Sequence, residues 1–308
     1  MKASTILRAG VLSVAVLAAS GSVFAAAGGY GPWSAAIRVE SLPGTHPDFN
    51  GPALDGCPFI SRDGKSFFMA STRPGGLGGI DIWVSRRERR SDAWDAPVNV
   101  GAPVNSADND FCPTLSRDGH TFYFVSNRPG GCGGDDIYTT RLKHHGTWDA
   151  VENLGCELNS AANEASPFPF PDKHGWSLYF SSTRSGNSDL YVAGSRRGDF
   201  SDPSPIAELN TLAQDGHPNV RRDGLEIFFF STREGTLGAQ DIYSATRAST
   251  SDAWSTPVNL GPNVNTSAAE TRPSLSWRGT ELYFGSTRTG GGAEGDSDHY
   301  VTSRIRGG

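Results

Sequence analysis

What the 308-residue sequence lacks excludes several classes of protein. Hydrophobic residues make up only 36% of the chain while 38 residues are glycine, so much of it must form turns, and a helical bundle is excluded. The glycines follow no period of three, which excludes a collagen-like helix. Basic residues number 27 against 33 acidic ones and form no basic stripe, so nucleic acid is not an expected partner. Disorder is excluded because aromatic residues make up 10% of the chain.

The motifs of several enzyme classes are missing as well. The sequence has neither the Gly-x-Ser-x-Gly elbow of hydrolases nor the His-Glu-x-x-His pair of metalloproteases. Its glycine-rich loops follow strands but lead into further strands, whereas loops that cradle phosphate lead into helices. We therefore expect no organic cofactor, and a binding role rather than catalysis.

The first 27 residues show the three-part pattern of a secretory signal. Lys2 and Arg8 form a basic start, residues 11–17 form a short apolar stretch, and the small residues near Ala25 fit a cleavage site. The apolar stretch is shorter than the ~20 residues that span a bilayer as a helix, and no other segment is apolar enough. We therefore predict a signal peptide at residues 1–27 and an exported, monomeric domain at residues 28–308, periplasmic or extracellular, without a membrane span.

A repeat of about 50 residues organises the rest of the chain. Each of five copies opens with a proline-containing strand and a polar turn such as Ser116-Arg117-Asp118-Gly119. A continuous apolar strand follows, then Ser-x-Arg, a glycine-rich loop, a strand beginning Asp-apolar-aromatic, and a short fourth strand. Four short strands per repeat are the signature of a β-propeller blade.

The N-terminal segment supplies the strand that the last repeat lacks. The fifth copy stops after its third strand, and residues 31–37 match residues 252–258, which belong to the fourth strand of the fourth copy. The sequence therefore predicts an all-β, five-bladed β-propeller with four antiparallel strands per blade. Its blades start near residues 55, 110, 164, 215 and 270, and the strand at 30–40 pairs into the last blade and closes the ring.

The recurring strings Ser-Arg-Asp-Gly, Phe-Tyr-Phe, Ser-x-Arg-Pro-Gly-Gly and Gly-Gly-x-Asp-Ile-Tyr resemble the WD40-like repeat of the Pro-Asp type, the family of TolB-like propellers. The resemblance covers residues 33 to 303. It implies an exported binding or scaffold module that engages an envelope protein or a glycan at one face of its central channel. The alternative is an extracytoplasmic carbohydrate-active hydrolase or lyase, because a propeller can place acids from different blades around one pocket.

Two sets of charged residues recur once per blade. The arginine of Ser-x-Arg and the aspartate of the third strand should meet across one hairpin, so we expect five structural ion pairs, the alternative being an anion-binding ring of arginines. The expected pairs are Arg73 with Asp81, Arg128 with Asp136, Arg184 with Asp189, Arg233 with Asp241, and Arg288 with Asp298.

The second set is a carboxylate three residues before each opening proline. Its members are Asp55, Asp110, Glu164, Asp215 and Glu270. Because the innermost strand of a blade lines the channel, we expect these carboxylates to circle the channel mouth. Either each one pairs with an arginine or caps a turn, or the ring holds a cation, for which calcium is the natural match to hard oxygen ligands.

Two further features stand out because they do not repeat. A longer loop at residues 42–50 carries His46 and Asp48, which together with His217 are candidates for a polar binding site, unless the loop has no ligand. Four cysteines, an even count in an exported chain, favour disulfides over a metal site. The preferred pairing is Cys57 with Cys112 and Cys132 with Cys156, provided that neighbouring inner strands bring the first pair within ~7 Å.

Overall fold

The computed structural model describes residues 29–143, 146–172, 175–195, 199–289 and 297–307. Within these residues, twenty strands form five separate four-stranded antiparallel sheets. The predicted five-bladed β-propeller is thereby confirmed. The predicted signal peptide at residues 1–27 lies outside the described residues. No helix in the described ranges is long and apolar enough to cross a membrane.

Each blade runs outward from an inner strand that begins at the predicted residue. Blade 1 consists of β2 (Asp55–Ile60), β3 (Ser66–Ser71), β4 (Asp81–Arg86) and β5 (Val98–Asn99). Blade 2 consists of β6 (Asp110–Leu115), β7 (Thr121–Ser126), β8 (Asp136–Arg141) and β9 (Glu152–Asn153). Blade 3 consists of β10 (Glu164–Asp172), β11 (Gly175–Ser182), β12 (Asp189–Ser195) and β13 (Ser201–Pro205). Blade 4 consists of β14 (Asp215–Val220), β15 (Glu226–Ser231), β16 (Asp241–Thr246) and β17 (Val258–Asn259).

Blade 5 is assembled from both ends of the chain. It consists of β18 (Glu270–Leu275), β19 (Glu281–Ser286), β20 (Asp298–Ser303) and the N-terminal strand β1 (Ile37–Arg38). Strand β1 is shorter than predicted, because Pro32 cannot donate to a ladder and the Ala36 N–H bonds to the carbonyl of Asn263 in the connection between blades 4 and 5. Two short 3-10 helices, Val39–Ser41 and Pro47–Phe49, follow it.

The core lies between the blades as well as within them. The second strand of each blade is buried on both faces, so that apolar side chains of neighbouring sheets interlock. The ring of Phe67 in blade 1 packs edge-on against Tyr283 in blade 5 at 5.4 Å, and Phe68 meets Phe122 of blade 2 at 5.3 Å. Aromatic pairs and shared apolar clusters of this kind between neighbouring blades hold the channel in a fixed shape.

Every inner strand carries a bulge at the residue before its proline. The pairing register shifts there, and the backbone enters the left-handed region, which residues other than glycine rarely adopt. The residues and their φ angles are Cys57 (49°), Cys112 (49°), Ser166 (56°), His217 (60°) and Arg272 (57°). Because the bulge recurs in all five blades, it places one side chain from each blade at the same level of the ring.

One buried residue makes the stability of blade 5 sensitive to pH. His299 stands where the other blades have isoleucine or leucine, and it is fully buried against Asn50. Burial lowers the pKa of His299 to about 4, and nearby Arg73 and Arg272 act in the same direction, against Asp55. The unfolded chain therefore binds a proton on this histidine at a higher pH than the folded chain does, so stability is lost as the pH falls from about 6.5 towards 4.

We expect His299→Ile, which restores the aliphatic residue of the other blades, to remove this loss. The difference in Tm between the variant and the natural chain should widen in favour of the variant as the pH is lowered from 7 to 4. Thermal unfolding at four pH values measures it. A constant difference over that range would contradict a buried, neutral His299.

Candidate functional site

A funnel of about 850 Å³ opens at the face where the turns between the first and second strands lie, here called the turn face, and extends outward between blades 1 and 2 past Val84, Val98 and Trp148. Inner strands of all five blades contribute to its wall, so it is one mouth of the central channel. Its base is apolar and is formed by side chains such as Phe59, Leu115, Phe168 and Leu275. A concave, mostly apolar pocket with a few polar groups at its rim is the usual form of a ligand site.

Tight turns hold the rim residues in position. In the first turn the Ser61 hydroxyl donates to Asp63 at 2.6 Å, the Lys65 N–H donates to the same carboxylate oxygen, and Gly64 closes the turn with a φ of 68°. The serine and aspartate side chains are thereby used inside the turn. The residue between them is left to project over the mouth, and Arg62 occupies that position.

Four rim residues occupy this projecting position in their turns. They are Arg62, Arg117, Arg222 and Trp277, from blades 1, 2, 4 and 5. The guanidinium carbons of Arg62 and Arg117 lie 4.8 Å and 5.1 Å from the centre of the Trp277 ring. Both arginines thus make cation–π contacts with one indole while their N–H donors face the solvent. We regard these four residues as the candidate site.

The three rim arginines lack acidic partners. Within the part of the chain that the structure describes, Arg62, Arg117 and Arg222 form no hydrogen bond or ion pair through their side chains, and all three are exposed. Among the residues that the structure describes, six arginines and two aspartates line the funnel. An excess of guanidinium donors at the mouth of an apolar pocket favours a ligand that carries carboxylate, sulfate or phosphate groups.

The two aspartates of the funnel are not suited to act as general acids. Burial alone raises the pKa of Asp63, but hydrogen bonds from the Ser61 hydroxyl and the Lys65 N–H outweigh it and hold the pKa below its usual range. Hydrogen bonds from the Ser116 hydroxyl and the His120 N–H likewise outweigh burial and lower the pKa of Asp118. A glycosidase needs one carboxylic acid with a raised pKa, which is the opposite shift.

Of the two alternatives for the inner-strand carboxylates, the structure shows pairing with arginine, and all five carboxylates are fully buried. The ion pairs join Arg73 to Asp55 (2.7 Å), Arg128 to Asp110 (2.6 Å), Arg184 to Glu164 (3.0 Å), Arg233 to Asp215 (2.6 Å) and Arg288 to Glu270 (3.2 Å). The expected pairing with Asp81, Asp136, Asp189, Asp241 and Asp298 is therefore wrong. The arginine folds back over the start of the inner strand rather than across to the third strand.

The third-strand aspartates accept hydrogen bonds from other partners, which explains why the Ser-x-Arg arginines do not pair with them. Asp81 accepts hydrogen bonds from the N–H groups of Leu77 and Gly78 in the glycine-rich loop, and from Asn99 at 2.8 Å. The same arrangement recurs at Asp136 and Asp241. In blade 3 the Ser185 hydroxyl donates to Asp189, and in blade 5 Arg38 contacts Asp298 at 3.1 Å. These aspartates fix the conformation of the loops, and the arginines pair with the inner-strand carboxylates instead.

Calcium, which the sequence suggested, would have to compete with hydrogen bonds that the buried carboxylates already accept. At Asp215, Oδ1 accepts from Arg233 while Oδ2 accepts from the N–H and the hydroxyl of Thr211. In each of the other four carboxylates both oxygens likewise accept hydrogen bonds.

We therefore expect added calcium to leave the Tm of the purified protein unchanged, and Asp215→Asn to lower it by removing the charge that neutralises Arg233. Thermal unfolding with calcium and with a chelator checks the first expectation. A calcium-dependent rise in Tm, or stoichiometric calcium in elemental analysis, would show that the ring binds metal.

The remaining sequence candidates do not come together. The Asp48 N–H donates to His46 Nδ1 at 3.2 Å in the exposed loop, and the Asp48 carbonyl accepts from Arg73. His217 lies elsewhere, where it contacts the Ser166 hydroxyl beside a small cavity inside the channel. Both disulfides of the preferred pairing form, Cys57–Cys112 with a Cα–Cα distance of 4.8 Å and Cys132–Cys156 with one of 5.5 Å.

Sequence comparison does not assign the chain to a family. No protein-family model matches it, and no curated protein matches it either. Solved structures match its fold at low identity. An α-L-arabinofuranosidase from Lactobacillus brevis is 14% identical with a TM-score of 0.56, over 87% of this chain and 94% of that one. An α-L-arabinofuranosidase from Podospora anserina in complex with cellotriose is 14% identical with a TM-score of 0.57, over 90% and 98%.

TolB from Acinetobacter baumannii is also among the structural neighbours. It is 15% identical with a TM-score of 0.51, and the match spans 83% of this chain but only 55% of the TolB chain. The propeller is therefore shared with TolB-like proteins and with arabinofuranosidases. At these identities the likeness establishes the fold alone, and the evidence on function lies in the residues of the site.

Proposed function

We propose that the chain is an exported binding module that takes an acidic oligosaccharide, one bearing carboxylate groups, into the funnel on the turn face. The observation that carries the proposal is the cluster of Arg62, Arg117 and Trp277 at the mouth, with Arg222 on the far side. A forked guanidinium matches a carboxylate with two hydrogen bonds, and the Trp277 ring holds two of the guanidinium groups at the mouth. Export rests on the signal-like pattern of residues 1–27.

A glycan fits these features better than a protein surface does. The funnel is concave and about 850 Å³ in volume, which is within the range of small-ligand pockets, whereas protein interfaces are broad and nearly flat. A neighbouring propeller structure holds cellotriose, so this fold is compatible with oligosaccharide binding. The arginines add a requirement for negative charge that a neutral oligosaccharide does not meet.

Hydrolysis is the second candidate, because two of the neighbours named above are arabinofuranosidases. It is less well supported by the site. The inner-strand carboxylates are paired with arginines, and the pKa values of the two funnel aspartates are lowered. An acid catalyst with a raised pKa would have to come from outside these groups.

Titration calorimetry with oligogalacturonides of three to six residues tests the proposal, with xylo-oligosaccharides of the same length as the neutral control. We expect the acidic series to bind at least tenfold more tightly, and the difference to shrink as salt is added. Chromatography of the same mixtures after prolonged incubation reports hydrolysis. Equal binding of both series, or no binding of either, would reject the acidic-glycan proposal, and released sugar products would favour the hydrolase.

A further inference from the structure

Below the base of the funnel, the channel holds a cluster of metal-ligand types that the proposed function does not use. A cavity of about 20 Å³ is lined by Cys57, Cys112, Ser166 and His217, together with the inner-strand prolines. Each of these four residues occupies the left-handed bulge position of its own inner strand. The bulges thus gather two sulfurs, a hydroxyl and an imidazole from four blades at one level of the channel.

The spacing of these groups suits a cation. The Sγ atoms of Cys57 and Cys112 and a ring nitrogen of His217 all lie within 4.8 Å of one another. In a tetrahedral site with Zn–S bonds of ~2.3 Å, two sulfur ligands stand ~3.8 Å apart, so rotation of the two cysteine side chains after reduction brings them to that spacing. A void of this size holds one water-sized particle, which is enough for an ion.

The surroundings of His217 favour its role as a ligand. The Ser166 hydroxyl contacts His217 Nδ1 and lies 4.0 Å from Cys112 Sγ, so it fixes the orientation of the ring beside the sulfurs. His217 places an imidazole beside the cavity, and zinc sites combine imidazole with thiolate ligands.

Arg272 is the fifth member of the bulge ring and carries a positive charge. By itself it opposes the entry of a cation. Reduction of the disulfide changes this balance, because two thiolates carry two negative charges, and a neighbouring guanidinium favours the thiolate form of a cysteine. The oxidised ring has no such charges, so only the reduced ring should bind a cation.

We propose that reduction of the Cys57–Cys112 disulfide converts the channel ring into a Cys₂His site for a thiophilic divalent cation, with Zn²⁺ as the best match. A phosphine or dithiol reductant supplies two electrons to the disulfide. The phosphine becomes its oxide by taking oxygen from water, whereas a dithiol becomes a disulfide. The two cysteine sulfurs accept two protons and release them to solvent when the cation binds, and His217 is the third protein ligand.

The test compares Zn²⁺ and Co²⁺ binding by the full chain before and after reduction with a phosphine. The second disulfide provides a matched control, because Cys132 and Cys156 are joined in the same way but no histidine is grouped with them among the described residues. We expect one tightly bound Zn²⁺ per reduced chain, and with Co²⁺ a thiolate charge-transfer band. Cys132→Ser/Cys156→Ser should keep both, and Cys57→Ser/Cys112→Ser should lose both.

His217→Ala provides a second, independent test that keeps the disulfide and so guards against a failure of the cysteine variant to fold. We expect it to weaken Zn²⁺ binding by the reduced chain at least tenfold, with near-ultraviolet circular dichroism confirming the native fold. The proposal is overturned if the oxidised chain binds as tightly as the reduced one. It is also overturned if His217→Ala binds as tightly as the natural chain, or if binding is lost in Cys132→Ser/Cys156→Ser.

Discussion

Arg62→Ala/Arg117→Ala should weaken the binding of an oligogalacturonide by about 100-fold without lowering the Tm. Each charge-assisted hydrogen bond to a carboxylate contributes ~1.5 kcal/mol, and the loss of two such bonds is ~3 kcal/mol, or about 100-fold in Kd. The Tm should not change because both side chains are exposed and their described contacts are limited to the face of Trp277. Calorimetry and thermal unfolding of the same preparation measure the two effects.

Arg89→Ala is the matched control for this experiment. Arg89 is exposed and lies outside the funnel, where it makes a loose ion pair with Asp92 at 3.7 Å. Its removal changes the net charge by one but touches no proposed contact, so the affinity should stay within about twofold. If the double variant and the control weakened binding equally, the effect would come from net charge alone and the funnel would not be the site.

The second large effect concerns the closure of the ring. Glu226 is buried and accepts hydrogen bonds from Arg221 at 2.7 Å and from both terminal nitrogens of Arg304, at 2.8 Å and 2.6 Å. Arg304 in turn stacks on Tyr30 and Trp33, with its guanidinium carbon 4.1 Å and 4.4 Å from the two rings. This one carboxylate therefore links blade 4, the C-terminal segment and the N-terminal segment.

Glu226→Gln should lower the Tm by about 10 °C. It leaves the buried guanidinium of Arg304 beside a neutral amide, whereas Arg221 keeps its ion pair with Asp223, and the loss of one partner in a buried ion pair costs ~3–5 kcal/mol. The N-terminal segment should also become more sensitive to limited proteolysis, because Arg304 is no longer held in place against its aromatic rings. Glu234→Gln, at an exposed glutamate of the same blade, should change the Tm by less than about 2 °C. Equal shifts in the two variants would contradict the closing role of Glu226.

The fold was predictable because the sequence pattern of one blade recurs five times along the chain. Each repeat carries a polar turn, a continuous apolar strand and the arginine of Ser-x-Arg at the same places, so an error in reading one blade is corrected by the others. Closure was predictable for a related reason, since the segment around Trp33 matches the segment around Trp254. The length of the closing strand was not predictable, because it depends on Ala36 bonding to the connection between blades 4 and 5.

The site was harder to predict because it depends on contacts between strands that lie apart in the sequence. Spacing alone places Arg73 near both Asp55 and Asp81, and the choice is made by the loop N–H groups that occupy Asp81. The position of the pocket at the turn face follows from the packing inside the channel, which no local pattern reveals. One signal was available: Trp277 stands where the turns of blades 1, 2 and 4 have arginine, and a departure from a repeat is free to serve function.

Hydrogen exchange in the presence of an oligogalacturonide tests the central claim most directly, because it reports which mouth of the channel the ligand occupies. We expect protection of the turns at residues 61–64, 116–119, 221–224 and 276–279, all of which surround the funnel. The loop at residues 42–50, which carries His46 and Asp48 and lies outside the funnel, should exchange as it does in the free protein. Protection of that loop with no change in the four turns would contradict the account.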